Sequence, residues 1–166
     1  IVGIGRIGQA TAKMALGLGM KVIAADSFIP QVDIKVEFFD GQSITTTIVS
    51  QSLESLFKEA DFITLHVPAQ DGYIIGEKEL TIMKDGVGIV NCARGGVIDE
   101  VALVKALDNG KVLFAGLDVF ENEPTPEMAI LMNHKISLTP HIGAATGEAQ
   151  DRIGTELASQ IISLLK

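Results

Sequence analysis

Short apolar runs alternate with segments of helical periodicity along the whole chain. Apolar runs bounded by Gly, Pro, Asp or Asn predict buried strands, and apolar positions that repeat every three or four residues predict amphipathic helices. The predicted strands are 1–2, 20–25, 61–67, 87–91, 112–119 and 136–139, and the predicted helices are 9–16, 53–59, 77–83, 100–108, 127–132 and 144–165. This alternation is typical of a single α/β domain with a doubly wound, mostly parallel sheet and helices on both faces.

Residues 28–52 interrupt the alternation with two β-prone runs. Val36–Phe39 and Ile44–Val49 flank an Asp40-Gly41 dipeptide, a pair that favours a hairpin turn. We therefore expect a small antiparallel excursion that leads into a short parallel strand near Ile48.

The composition narrows the classes of partner. Apolar residues make up 47% of the 166 positions, which is enough to fill a core, and the formal net charge is −8. That charge argues against nucleic acid and anionic membrane surfaces as partners, and no apolar run reaches the roughly 18 residues of a membrane span. The single Cys92 cannot form an internal disulfide, which favours a cytoplasmic location.

A glycine-rich turn, Gly3-Ile4-Gly5-Arg6-Ile7-Gly8, lies between the first strand and the first helix. In a Rossmann-type unit Gly3 permits the sharp turn, Gly5 leaves room for a pyrophosphate, and Gly8 lets the helix approach the strand. The first turn of the helix would direct unpaired N–H groups at the diphosphate. The alternative is a glycine turn without a ligand, as any α/β protein can contain.

Asp26 ends the second predicted strand, where a carboxylate can accept hydrogen bonds from the adenosine ribose. Ser27 follows it, and no Arg is adjacent to receive a 2′-phosphate. The sequence therefore favours NAD over NADP. The alternative for Asp26 is a turn residue at the end of a strand.

Several polar residues lie directly after predicted strands. In a parallel sheet these positions share one edge, which is where ligands bind. We therefore expect one site to contain residues from six separated segments: Gly3–Gly8, Asp26, His66, Arg94, Asp118 and His141.

Arg94, between Ala93 and Gly95, suits a bidentate grip on a carboxylate, although an arginine there can also bond a nearby carbonyl or acidic side chain. His141 suits proton transfer between an alcohol and a carbonyl. Glu121 and Glu123 are alternative carboxylate partners that would fix its tautomer.

Two other histidines are interpreted differently. His134 lies in a polar turn and is expected to be structural. His66 is followed closely by Pro68, so its backbone rather than its ring is expected to face a cofactor. No serine lies in a nucleophile-elbow sequence and no ligand set has metal spacing, so we expect no metal.

Five ordered motifs resemble the signatures of the D-isomer-specific 2-hydroxyacid dehydrogenases. They are the glycine turn with Asp26, His66-Val67-Pro68, Asn91-Cys92-Ala93-Arg94-Gly95-Gly96, Leu117-Asp118-Val119-Phe120-Glu121-Asn122-Glu123-Pro124, and Thr139-Pro140-His141-Ile142-Gly143. The last motif, continued to Thr146 and followed by Glu148-Ala149-Gln150, is similar to the branch of the family that oxidises 3-phosphoglycerate in serine biosynthesis.

The resemblance implies catalytic roles for three side chains. Arg94 would bind the substrate carboxylate and polarise its carbonyl. His141 would be the acid/base, and Glu123 rather than Glu121 would be its partner. The implied substrate is a small 2-hydroxy or 2-oxo acid, and the hydride would pass to or from NAD.

The resemblance also implies the cofactor contacts. Asp118 would meet the nicotinamide carboxamide, and Arg6 and Ile7 would meet the diphosphate through their backbone. The full implied set is Gly3, Gly5, Arg6, Ile7, Gly8, Asp26, His66, Val67, Pro68, Cys92, Ala93, Arg94, Asp118, His141, Gly143 and Ala144.

The resemblance further implies a longer protein. Only two residues precede Gly3, whereas a buried first strand has about five, and the family's substrate-binding domain is missing. We therefore expect residues 1–166 to be the NAD-binding domain of a two-domain, dimeric enzyme, with little or no turnover alone. The alternatives are a glyoxylate or hydroxypyruvate reductase and an NAD-sensing module that resembles a corepressor.

Overall fold

The computed structural model describes residues 1–165. Its helices are α1 (Arg6–Gly17), α2 (Leu53–Glu59), α3 (Glu77–Ile82), α4 (Glu100–Asp108), α5 (Met128–Leu131) and α6 (Gly147–Leu164). Its strands are β1 (Gln31–Glu37), β2 (Ser43–Val49), β3 (Phe62–Leu65), β4 (Val87–Asn91), β5 (Val112–Leu117) and β6 (Ile136–Leu138). The order of elements confirms the predicted α/β alternation.

The main sheet contains β3, β4, β5 and β6 side by side in that order, all parallel. Val2 extends the sheet beyond β3, because it bridges Leu65 on one side and Ala25 on the other, and Ala24 bridges Ser50 still further out. The predicted strands 1–2 and 20–25 are therefore isolated bridges rather than regular strands. The strand order reverses beside Val2, and the residues that follow it lie at the switch point where doubly wound sheets bind ligands.

The predicted hairpin is confirmed, with strands displaced from the expected bounds. β1 and β2 pair antiparallel from Gln31 opposite Val49 to Glu37 opposite Ser43. Phe38 and the next residues form the turn instead of continuing the strand, since the Phe38 N–H already donates to the carbonyl of Gln42 across it. The predicted parallel segment near Ile48 is reduced to the single bridge at Ser50.

Two clusters of buried apolar side chains lie on opposite faces of the sheet. One contains Leu65, Ile89 and Leu117 packed against residues of α2, α3 and α4. The other contains Ala12 of α1 and five further buried residues, namely Ile1, Ile4, Ala24, Ile34 and Ile48. Successive strand residues point to opposite faces, and for this reason Ala24 and Ala25 belong to different clusters.

The second face is covered only at the α1 end. Phe62 and Phe114 are 58% and 38% exposed on it, with their ring centroids 6.1 Å apart. α6 begins at Gly147 rather than Ala144, because the Thr146 hydroxyl accepts from the N–H of Ala149. It buries none of its described residues against the sheet, so it does not cover this face.

Within residues 1–165, no helix combines the length and the apolar character needed to cross a membrane.

Candidate functional site

The three glycines of the first turn have different surroundings. A Cβ added at Gly3, which has φ +86°, would lie 2.5 Å from the His66 carbonyl oxygen, and one at Gly8 would lie 2.1 Å from the carbonyl oxygen of Gly3. Both contacts are too short for any side chain, so these positions need glycine for packing. A Cβ at Gly5 would meet no described atom within 4 Å. The turn is therefore tight at its two ends and open in the middle.

The open part of the turn leads into the first turn of α1. The first bond of the helix runs from the Gln9 N–H to the Gly5 carbonyl, and Gly5 provides no side-chain cap. The N–H groups of the three residues before Gln9 therefore have no intrahelical acceptor. Such a helix end attracts an anion through these donors and the helix dipole.

Asp26 holds the glycine turn from the neighbouring strand end. Its Oδ2 accepts from the Ile4 N–H at 2.8 Å, and its Oδ1 accepts from the N–H groups of Phe28 at 2.8 Å and Ile29 at 3.0 Å. Partial burial raises the pKa of this carboxyl, but the three backbone donors outweigh that effect and the net pKa is lowered. Asp26 is thus an ionised turn residue, and Oδ2 retains a lone pair for a further donor.

The loop after β3 presents its backbone to the glycine turn. The His66 N–H donates to the Val2 carbonyl at 2.8 Å, and its own carbonyl packs on Gly3. The ring Nε2 lies 3.1 Å from the Thr64 hydroxyl, and burial lowers the pKa of the imidazole. The ring of His66 is therefore hydrogen-bonded within the protein, and the expectation that its backbone rather than its ring faces a cofactor stays a prediction. The side chain of the next residue, Val67, also lies beside Gly3, since a Cβ added there would be 2.9 Å from Val67 Cγ1.

The loop after β4 is shaped by a buried asparagine that the sequence analysis did not single out. Asn91 accepts from the Ala93 N–H at 3.0 Å through Oδ1 and donates to the Arg94 carbonyl at 2.9 Å through Nδ2. The exposed Arg94 guanidinium donates to the Ala93 carbonyl at 2.6 Å. Its observed bond is therefore the alternative considered for this residue, and the guanidinium has further N–H donors beyond the one used in that bond.

Gly95 joins this loop to the acidic loop after β5. A Cβ at Gly95 would lie 1.8 Å from the Phe120 carbonyl oxygen, so the two backbones touch. The Phe120 N–H in turn donates to Glu123 Oε1 at 3.0 Å. Arg94 and Glu123 consequently lie on adjoining loops.

Glu123 and His141 are in direct contact. The imidazole Nδ1 lies 2.7 Å from Glu123 Oε2, and the hydrogen bond from His141, followed by the one from Phe120, lowers the pKa of the Glu123 carboxyl. Because an ionised carboxylate can only accept, Nδ1 carries the proton and Nε2 is left as the acceptor. The other candidate, Glu121, bonds elsewhere: its oxygens accept from the Glu100 N–H and the Tyr73 hydroxyl.

Asp118 fixes the backbone that carries His141. Its Oδ1 accepts from the Thr139 hydroxyl at 2.6 Å and the Ile142 N–H at 2.9 Å, and Oδ2 accepts from the Gly143 N–H at 2.9 Å. Burial of Asp118 raises its pKa, but these three donors together lower it below the usual range. His141 has φ +54°, in the left-handed region that non-glycine residues rarely adopt, and the Asp118 bonds on both sides hold it there.

Two of the remaining expected cofactor residues lie close to this group. Cys92 directly follows Asn91, the last residue of β4, and partial burial and then the Asp118 carboxylate raise the pKa of its thiol. Ala144 lies in the turn that follows Gly143. The sequence analysis gave no role to Thr139, whose hydroxyl donates to Asp118, or to Glu100, which is buried. Thr139 could have been suspected because its hydroxyl directly follows β6, whereas no local signal marks Glu100.

A parallel sheet with an open glycine turn at its switch point defines a dinucleotide-binding domain, and the His–Glu pair lies at the same edge of that sheet. The family described as D-isomer specific 2-hydroxyacid dehydrogenase, NAD binding domain, matches residues 1–143. The chain belongs to this family, and its cofactor is NAD.

Individual relatives differ in their substrates. The chain is 48% identical over 170 residues to a hydroxypyruvate reductase of Thermotoga maritima, covering 99% of this chain and 52% of that protein. It is 44% identical to a D-3-phosphoglycerate dehydrogenase of Methanocaldococcus jannaschii, covering 100% of this chain and 30% of that protein. The crystal structure of a glyoxylate reductase from Paecilomyes thermophila superposes with a TM-score of 0.82 at 39% identity, covering 99% and 48% of the two chains. The chain thus spans about half or less of these proteins.

Proposed function

We propose that this chain is the NAD-binding domain of a longer dehydrogenase that oxidises a D-2-hydroxy acid, with 3-phosphoglycerate as the substrate and 3-phosphohydroxypyruvate as the product. The observation that carries the reaction class is the 2.7 Å contact between Glu123 and His141 at the edge of the sheet that holds the glycine turn. The similarity to the phosphoglycerate dehydrogenase of Methanocaldococcus jannaschii supports the substrate.

His141 is the acid/base of the proposed reaction. NAD, when bound, supplies the acceptor for the hydride that leaves the C–H of the alcohol carbon. His141 Nε2 takes the hydroxyl proton as the carbonyl forms, and in the reverse direction it returns that proton. Glu123 accepts from Nδ1 throughout and balances the positive charge that develops on the imidazole.

Arg94 binds the carboxylate of the acid in this proposal. Its guanidinium is exposed and keeps donors beyond the one used on the Ala93 carbonyl. A guanidinium can grip both carboxylate oxygens while a further N–H polarises the adjacent carbonyl. The backbone contact between Gly95 and Phe120 holds the Arg94 loop against the loop that carries Glu123.

The cofactor would lie across the carboxyl ends of the strands. The diphosphate would occupy the space over Gly5 at the start of α1, and the ribose would meet Asp26 Oδ2. The nicotinamide end would lie near Asp118 and His141. The segments between them, including Pro68 and Cys92, would line the cleft.

We also propose a second domain, an oligomeric state and a location for the full-length enzyme. A substrate-binding domain outside residues 1–166 would close over the nicotinamide and read the phosphate of the acid, and the protein would be a dimer of the cytoplasm. The chain's share of its relatives' length supports the second domain.

A hydroxypyruvate or glyoxylate reductase is the second candidate. The 48% identity to the hydroxypyruvate reductase of Thermotoga maritima favours it. Both candidates use the same His–Glu pair, so the ratio of kcat/KM values for 3-phosphoglycerate, hydroxypyruvate and glyoxylate in the full-length protein separates them.

The reaction class is tested with His141→Asn and with a matched control, His134→Asn, in the full-length protein. NADH absorbance during turnover and the Kd for NAD are measured. We expect His141→Asn to lower kcat by about 10²–10⁴-fold, the usual contribution of a general acid/base, with the Kd for NAD nearly unchanged. His134→Asn should leave both unchanged. Turnover that survives in His141→Asn would refute the acid/base assignment.

A further inference from the structure

Glu100 and Glu121 hold each other through a reciprocal pair of hydrogen bonds. Glu121 Oε1 accepts from the Glu100 N–H at 3.0 Å, and Glu100 Oε1 accepts from the Glu121 N–H at 2.8 Å. Glu100 is the first residue of α4, and Glu121 lies in the acidic loop after β5. We refer to this arrangement as the Glu100–Glu121 clasp.

Glu100 is an unusual residue to find buried. It is 6% exposed, and within the part of the chain that the structure describes its Oε2 is buried without a hydrogen-bond partner. Burial, together with the charges of Glu121, Glu127 and Glu123, raises the pKa of this carboxyl although the Glu121 N–H opposes the shift. Burying a carboxyl among other carboxylates is unfavourable.

The clasp joins the loops that form the proposed active site. Glu121 Oε2 accepts from the Tyr73 hydroxyl at 3.2 Å, which ties in the loop after β3. Phe120, the neighbour of Glu121, touches Gly95 of the Arg94 loop and donates to Glu123. Every one of these contacts lies within three residues of Glu123, so they constrain where its carboxylate points.

We propose that Glu100 and Glu121 are positioning residues that fix the acidic loop so that Glu123 stays aligned on His141 Nδ1. The proposal rests on the proposed function, since alignment matters only if the His–Glu pair transfers a proton. Misplacement of a catalytic group by about 1 Å can lower a rate by about 10²-fold. Loss of the clasp is therefore expected to lower kcat if it lets the Glu123 carboxylate move away from His141 Nδ1.

The test compares three variants of the full-length protein. Glu100→Ala removes the acceptor for the Glu121 N–H, whereas Glu100→Gln keeps a side-chain oxygen in its place. Glu77→Ala is the matched control, because Glu77 is also the first residue of a helix, α3, and is exposed. We measure kcat, the KM for NAD, and the His141 Nδ1–H signal in ¹⁵N NMR spectra of the protein without substrate.

We expect an effect on kcat and on the His141 Nδ1–H signal, but not on the KM for NAD. Glu100→Ala should lower kcat roughly tenfold or more, leave the KM for NAD within about twofold, and broaden or remove the His141 Nδ1–H signal. Glu100→Gln should restore kcat to within about threefold of the parent, because the hydrogen bond rather than the charge does the positioning. Glu77→Ala should match the parent in all three measurements.

Other outcomes overturn the clasp. If Glu100→Ala keeps the parent kcat and the Nδ1–H signal, or if Glu100→Gln is as impaired as Glu100→Ala, the proposal is wrong. Should Glu100→Ala fail to fold, Glu121→Ala replaces it, since Glu121 is exposed and its loss leaves no cavity; an unchanged kcat and signal in that variant also overturn the clasp. If the parent protein turns over none of the 2-hydroxy or 2-oxo acids, the proposed function fails, and the NMR signal alone decides the clasp.

Discussion

Asp118 is the group on which the shape of the His141 turn depends most directly. Its carboxylate accepts three hydrogen bonds, from the Thr139 hydroxyl and from the N–H groups of Ile142 and Gly143. Asp118→Asn preserves the size of the side chain but replaces one oxygen by an NH₂ group, which cannot accept from an N–H. The variant therefore loses the single bond of Oδ2 or both bonds of Oδ1, depending on how the amide turns.

The expected loss of stability follows from these bonds. A hydrogen bond to a charged acceptor contributes about 1.5–3 kcal/mol. Water reaches part of the turn and compensates some of the lost donors, so we expect the free energy of unfolding to fall by about 2–3 kcal/mol. We also expect kcat to fall by about 10²-fold, since His141 then relaxes from its left-handed conformation and moves away from Glu123.

Urea unfolding of the full-length protein at several pH values measures the effect, with the exposed Asp108→Asn as the control. The pKa of Asp118 in the folded chain is lower than the ordinary value of 3.8. Its stabilising contribution is therefore complete above that pH and is lost as the pH falls through the folded pKa. The difference between parent and Asp118→Asn should shrink below about pH 4. An Asp118→Asn variant as stable as Asp108→Asn at pH 7, or a difference that does not shrink in acid, would refute this reasoning.

The glycine turn and Asp26 give three further predictions. Gly8→Ala places a Cβ 2.1 Å from the Gly3 carbonyl oxygen and should lower the free energy of unfolding by about 1–3 kcal/mol, whereas Gly17→Ala at the open end of α1 should be neutral or stabilising by thermal unfolding. Gly5→Ala should keep the parent Tm but weaken NAD binding in calorimetry, and unchanged binding would show that the diphosphate does not lie over Gly5. Asp26→Ala should reduce the affinity for NAD at least tenfold, about 1.4 kcal/mol, and the affinity for NADP by less; an equal loss for both cofactors would contradict the ribose assignment.

The local pattern of the chain was sufficient for the elements and for the edge of the sheet where the site lies. The strand 87–91 and the helix 100–108 were predicted with the bounds that the structure shows, because buried strands and capped helices are determined by residues close in sequence. The convergence of Gly3–Gly8, Asp26 and Asp118 on one edge also follows from sequence, since parallel strands place their carboxyl ends together. The strand 20–25 was less well predicted, because pairing depends on the neighbouring strand as well as on the run of apolar residues.

What the tertiary structure decided is which polar side chains meet. Residue types alone left Glu121 and Glu123 as alternatives for His141, and the family resemblance favoured Glu123; the course of the acidic loop brings Glu123 to the imidazole and Glu121 to α4. The bonds of Asp118 and the burial of Glu100 depend on contacts between residues more than twenty positions apart. A local pattern records which side chains are buried, but a hydrogen bond needs two atoms within about 3 Å, and only the packed chain fixes that distance.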